Sequence, residues 1–147
     1  MSSITENCIE VCNGLLRGEI SAVETYTQAI EKFHDDPAVS TLDQIRAEHV
    51  DSANRLRENV RSMGGTPSND SGAWGSFAKT VEGAAKLMGS SAALKGLKQG
   101  EEFGKSSYEE ALHDDGVMPG CKDMIRVELL PRQVRHIATI DRLAATK

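Results

Sequence analysis

Apolar side chains recur along most of the chain at steps of three and four residues, the spacing that lays them on one face of an α-helix. From residue 4 to residue 33 the series is Ile4, Cys8, Val11, Leu15, Ala22, Tyr26, Ala29 and Phe33, which predicts one long helix. Pro37 ends it, because proline disfavours helical geometry in the residue before it and has no N–H to donate. Ser40, with Asp43 three residues on, reads as a helix N-cap and its acidic partner, so a second helix is expected from about Thr41. Its stripe is Leu42, Ile45, His49, Ala53, Leu56, Val60 and Met63. Gly64-Gly65-Thr66-Pro67 closes it, glycine supplying a left-handed cap and proline blocking continuation.

Trp74, Phe77, Val81, Ala84 and Met88 make a shorter amphipathic stretch that fades at Gly89-Ser90-Ser91. Leu94, Leu97, Gly104, Tyr108 and Ala111 share one face of a further helix. The last helix is expected from Pro119, a suitable first-turn residue, with Ile125, Leu129, His136, Ile137, Ile140 and Leu143 inward. Pro131 lies inside it and predicts a kink or a break. No segment alternates with period two, so no sheet is expected. Four long helices and one short one fit an all-α antiparallel bundle, with residues 1–147 as a single domain. The stretch from Ser68 to Ser91 exceeds a tight turn and predicts a crossover running the length of the bundle. A weak internal repeat accompanies this pattern. Gly18-Glu19…Tyr26, His34-Asp35-Asp36 and Asp43-Gln44-Ile45-Arg46-Ala47-Glu48 return in the same order as Gly100-Glu101…Tyr108, His113-Asp114-Asp115 and Asp123-Met124-Ile125-Arg126-Val127-Glu128, which points to a duplicated helical hairpin.

Composition acts mainly by exclusion. With 147 residues, 39% hydrophobic and 27% charged, the chain suits one core and rules out a disordered tail. Its net charge of −5 and its lack of Lys/Arg runs argue against a nucleic-acid partner. No apolar stretch is long enough to span a bilayer, and MSSITENCIE has neither a basic region nor an apolar core of a signal peptide. Three irregularly spaced cysteines indicate no disulfide framework, so a cytoplasmic location is expected. No Walker loop, nucleophile elbow or dinucleotide fingerprint is present.

The informative residues are polar ones on apolar stripes. At about 100° per residue, Glu19 lies within about 40° of Leu15 and about 20° of Tyr26. Glu101 sits between Leu97 and Gly104, one heptad before Tyr108. His49 falls between Ile45 and Ala53 with Ser52 near the same line, and Gln133 and His136 straddle the line from Leu129 to Ile140. Each long helix therefore aims a polar group into the core, where an ionised carboxylate needs a partner or a cation. Two readings follow: a hydrogen-bonded network with Tyr26 and Tyr108 as donors, or a metal site of Glu19, His49, Glu101 and His136.

The stretches LLRGEISAVETY (from Leu15) and SANRLRENVRSMGGTP (from Ser52) are similar to the first and second helices of bacterioferritins and rubrerythrin-like proteins. Across nearly the whole chain, the sequence resembles an uncharacterised bacterial family of ferritin-like four-helix-bundle proteins. That resemblance is carried by Gly64-Gly65-Thr66-Pro67, Gly100-Glu101…Tyr108 and Arg132-Gln133. It implies a ferritin-like bundle whose metal site takes a Glu from each of two helices and a Glu-x-x-His pair from each of the others. Glu19 matches the first-helix Glu, and Glu101, with Glu102 as the neighbouring alternative, the third-helix one. The second-helix pair falls on His49 and Ser52, and the fourth on Gln133 and His136, so two carboxylates are lost. Glu48 and Glu128, partners in the repeat, project off the stripe. The remaining donors balance one divalent ion (iron, zinc or manganese) rather than two irons. The expectation is a non-enzymatic bundle with a degenerate di-metal site that acts through protein contacts or self-association, as a homo-oligomer (a dimer). The alternative is a mononuclear metal binder or metal-dependent enzyme using Glu19, His49, Glu101 and His136.

Weaker features carry less. Cys8 and Cys12 share a helix face, but without a second pair they read as small buried hydrophobes, and Cys121 has no identifiable base beside it. The two His-Asp-Asp triplets read as helix-end loops. Trp74 and Phe77 suit either packing on the bundle or a dimer contact.

Overall fold

The computed structural model describes residues 2–33, 36–75, 77, 79–81, 83 and 89–146. Helix α1 spans Ser2–Phe33 and α2 spans Ala38–Ser62, as the two stripes require. The second helix starts three residues before the expected Thr41. Pro37 occupies the residue before the helix in helical geometry, and Asp36 rather than Ser40 receives the Ala38 N–H, at 2.9 Å. Proline thus ends one helix and launches the next.

At its far end, α2 closes in a Schellman turn. Gly65 N donates to Val60 O, Gly64 N donates to Arg61 O, and Gly64 has φ +83°. Gly64→Ala is expected to cost about 1–2 kcal/mol because a Cβ there meets the following carbonyl. A shifted urea midpoint with an unchanged slope is the measurement.

The chain then climbs back along α1. Asn13, Arg17 and Ser21, one turn apart, bond the Thr66 carbonyl, the Ser68 hydroxyl and the Trp74 carbonyl in turn. A 3₁₀ turn at Gly72–Trp74 leads into helical residues that include Phe77 and Val81, whereas Ala84 and Met88 lie outside the described residues. This is the crossover expected from the length of the segment. It lies against α3, Ser90–Leu112, where Gly96 and Gly100 leave room for Val81 and the Phe77 ring. Trp74 and Phe77 pack with Phe103 on the bundle surface.

Helix α4, Pro119–Met124, continues through a π turn, Ile125–Leu129, into α5, Leu130–Ala145. The expected disturbance from Pro131 takes this form. The missing proline N–H breaks the regular ladder, and a wider turn just before it absorbs the loss. In an α-helix, steps of four drift by about 40° each. The wider turn reduces that drift and keeps Ile125, Leu129 and Gln133 facing the core.

Four rods result, all helical, with no strand among the described residues. Helix α1 packs on α2 and α3, and α5 packs on α3 and α2. Since α2 and α3 both run toward the end where α1 begins, the order is up, down, down, up. The apolar core is split in two. One half gathers Cys8, Cys12, Leu16, Leu56, Val60, Cys121, Ile125 and Leu129. The other gathers Tyr26, Ala29, Leu42, Ile45, Leu94, Leu97 and Ile140. Burying each large aliphatic side chain stabilises by roughly 1.5–3 kcal/mol. No helix among the described residues is long and apolar enough to cross a membrane.

Candidate metal centre

Between the two apolar halves lies a layer of buried polar groups: Glu19, His49, Glu101 and His136, one from each rod. The structure brings together all four side chains singled out from the stripes. His49 stands between the carboxylates, its Nδ1 at 2.5 Å from Glu19 Oε1 and its Nε2 at 2.7 Å from Glu101 Oε2. His136 Nδ1 lies 3.2 Å from Glu101 Oε1, and the two imidazole centroids are 4.7 Å apart.

The tyrosines cross over. Tyr26 of α1 donates to Glu101 of α3, and Tyr108 of α3 donates to Glu19 of α1. The two Gly-Glu…Tyr segments of the internal repeat thus grip each other's carboxylate. Burial and the carboxylate each one faces hold both phenols far above their ordinary range, so they remain donors.

Electrostatics follows from this geometry. Burial by itself depresses an imidazolium, but Glu101 and Glu19 outweigh it and raise His49 to about 10. Burial likewise pushes Glu101 up, and the facing His49 and His136 overcome it and hold the carboxyl at about 2. Metal-free, the layer is a charged, fully bonded network.

The roles of Glu48 and Arg132 beside this layer were not legible in the stripes. Glu48 lies off the apolar face of α2, with its side chain 43% exposed, yet its Oε1 reaches His136 Nε2 at 2.7 Å. The repeat register contained that signal, and the length of a glutamate explains it: its carboxylate reaches a group its Cβ does not face. Glu128, its repeat partner, instead pairs with Arg55 and Arg132. Arg132 also donates to Ser52 at 3.0 Å, so a guanidinium occupies the corner where the family resemblance places a ligand. Gln133 turns its amide to the Glu101 backbone carbonyl at 3.0 Å, close against Gly104.

The donors remaining near one point are His49, Glu101 and His136, with ligand atoms within 4.8 Å of one another. Glu19 reaches that point only through His49. A cavity of about 50 Å³ beneath Trp74 and Phe77 is bordered by two of these donors, His49 and Glu101, together with Glu19 and both tyrosines. That is room for one or two waters.

Residues 7–114 match the family described as "Domain of unknown function (DUF2383)". The chain belongs to this family. The DUF2383 match takes in Glu19, Tyr26, Glu48, His49, Glu101 and Tyr108, and stops before Gln133 and His136. No curated protein and no solved structure matches the chain.

The other features flagged in the sequence resolve simply. His113 follows the last residue of α3, and Asp114 accepts the Gly116 N–H in the loop beyond. Asp36 accepts the Ala38 N–H just ahead of α2, while His34 and Asp35 lie outside the described residues. Cys8 and Cys12 do not stand alone as a pair, since Cys121 joins them.

Proposed function

We propose that this protein is a ferritin-like bundle that binds one divalent metal ion per chain through His49 Nε2, His136 Nδ1 and the Glu101 carboxylate. The observation that carries this reading is the pairing on the far side of each ring. His49 keeps its Nδ1 on Glu19, and His136 keeps its Nε2 on Glu48. A carboxylate behind each ligating imidazole is the outer-sphere arrangement that orients histidines in metal centres and raises their basicity. An ion between the rings replaces the proton that His49 Nε2 shares with Glu101. Two imidazole nitrogens with a carboxylate suit zinc, ferrous iron or manganese, and the cavity bordered by His49 and Glu101 leaves room for a water ligand.

A two-ion centre does not fit these donors. Gln133 and Ser52 are committed to other partners, and Arg132 adds positive charge where further anions are needed. Support for the ferritin-like topology comes from the up-down-down-up order with a single long crossover. The catalytic output of such a site, and self-association of the bundle, are not needed to explain its architecture.

Metal analysis of protein purified without chelators tests the reading. Glu101→Gln is expected to hold about one zinc, iron or manganese fewer per chain than wild type. Glu48→Gln, altered at a half-exposed position, is expected to keep the fold and weaken affinity about 10–100-fold. Sub-stoichiometric metal, with no rise in melting temperature on adding Zn²⁺, Mn²⁺ or Fe²⁺, would make the layer a purely structural network.

A further inference from the structure

At the end of the bundle where α1 begins, a second cluster of ligand atoms lies apart from the His–Glu layer. Cys8 and Cys12 sit one turn apart on α1, and Cys121 lies in α4. The three thiols are buried and their sulfurs fall within 4.8 Å of one another, with Cys12 and Cys121 at 3.0 Å. The core packed around them, including Leu16, Leu56, Val60 and Ile125, is uncharged.

The polar groups that reach these sulfurs are donors. The Met118 backbone N–H meets Cys8 Sγ at 3.5 Å, and the Asn59 side-chain amide meets Cys12 Sγ at 3.3 Å. Small buried hydrophobes have no use for N–H groups aimed at sulfur, whereas thiolates do. We propose that Cys8, Cys12 and Cys121 form a site for one soft, thiophilic divalent cation, independent of the His–Glu centre.

The geometry is close to what such an ion requires. Metal–sulfur bonds of about 2.3 Å put the sulfurs of a trigonal plane about 4 Å apart, so the Cys12–Cys121 pair at 3.0 Å opens by about 1 Å on binding. A cleft of about 380 Å³ bordered by Asn59, Met63, Met118 and Cys121 leads to it from solvent. Its two methionines offer further soft donors along the way.

Burial pushes the Cys8 thiol up, and the adjacent Cys121 thiol together with burial pushes Cys12 up, so these two thiols hold their protons. Hard, oxygen-preferring ions do not displace them, which confers selectivity for soft ions. Binding is proton exchange without redox: one M²⁺ and three thiols give a tris-thiolate of charge −1 and three protons released to solvent. The two N–H donors stabilise the remaining negative charge.

The test is titration of Cd²⁺ into reduced, metal-free protein, followed by the ultraviolet thiolate-to-metal absorption and by proton release. The thiolate absorption should saturate at one Cd²⁺ per chain with about three protons released for that ion, and an ion taken up by the His–Glu centre adds nothing to it. The absorption should be unchanged in Glu101→Gln, lost in Cys12→Ala and diminished in Cys8→Ala and Cys121→Ala. Absence of the absorption in wild type overturns the proposal, as does full intensity in Cys8→Ala. Formation of a Cys12–Cys121 disulfide in air, with no Cd²⁺ uptake by the reduced chain, also overturns it. Should a cysteine variant fail to fold, alkylation of wild type in mild denaturant decides. One Cd²⁺ protecting all three thiols supports the site, and protection of fewer refutes it.

Discussion

Replacing Glu101 with alanine is expected to destabilise the metal-free chain by about 3–5 kcal/mol, close to the limit that a single substitution reaches in a domain this size. Glu101 is the hub of the polar layer. Its carboxylate accepts from Tyr26, His49 and His136, and all four groups are buried. Removing it leaves the Tyr26 hydroxyl, His49 Nε2 and His136 Nδ1 in the core without their acceptor, so desolvation that was compensated becomes a net cost. Urea unfolding of wild type and variant in the presence of a chelator measures the difference. Tyr26→Phe removes one donor and leaves the carboxylate paired with both histidines, and should cost only about 0.5–2 kcal/mol. Glu128→Ala, which breaks part-exposed ion pairs with Arg55 and Arg132, should cost less than about 1 kcal/mol. An effect of Glu101→Ala no larger than that of Glu128→Ala would mean that the layer is solvated rather than dry.

The stability of the metal-free chain should also pass through a plateau in pH set by the same contact. His49 titrates near 6.5 unfolded and at about 10 folded. Its contribution is therefore complete below about pH 6.5 and is lost as pH rises through 10. Glu101 moves the other way, from 4.5 unfolded to about 2 folded. Its contribution is complete above about pH 4.5 and is lost as pH falls through 2. The plateau spans the interval between the two unfolded values, and each flank drops by on the order of 3–5 kcal/mol. The two flanks share the His49–Glu101 interaction, with Glu19 adding to the alkaline one and His136 to the acid one, so their magnitudes do not add. Urea midpoints at about pH 5.5 and about pH 9 test the alkaline flank, where the midpoint should fall. A His49→Gln variant, uncharged at both values, should lose most of that difference. An alkaline slope that persists in the variant would assign the loss to other groups.

The stripes made the helices legible because a helix buried on one side must repeat its apolar positions at its own period. The same logic exposed Glu19, His49, Glu101 and His136. A titratable group at the centre of an apolar stripe is carried inside with its neighbours, whatever the neighbouring helices are. Chemistry confined to a few adjacent residues was also visible, as in the Gly64 cap, where a left-handed residue is required locally. The Asp36 acceptor was missed because Ser40 offers an equally plausible local pattern, and the choice turned on Pro37 accepting helical geometry.

Periodicity reports where a side chain points about its own axis and is silent on the rotation and height of one helix against another. That is why the exchange of tyrosines between Glu19 and Glu101, the arrival of Glu48 at His136 and the meeting of Cys121 with Cys8 and Cys12 were beyond the stripes. By itself the sequence determined that the chain is helical, where its rods run and which polar groups each one carries inward. Only the tertiary structure decided which of those groups touch. Contacts among residues as far apart as 19 and 108 depend on how four rods settle against one another, a balance of packing that no single rod contains.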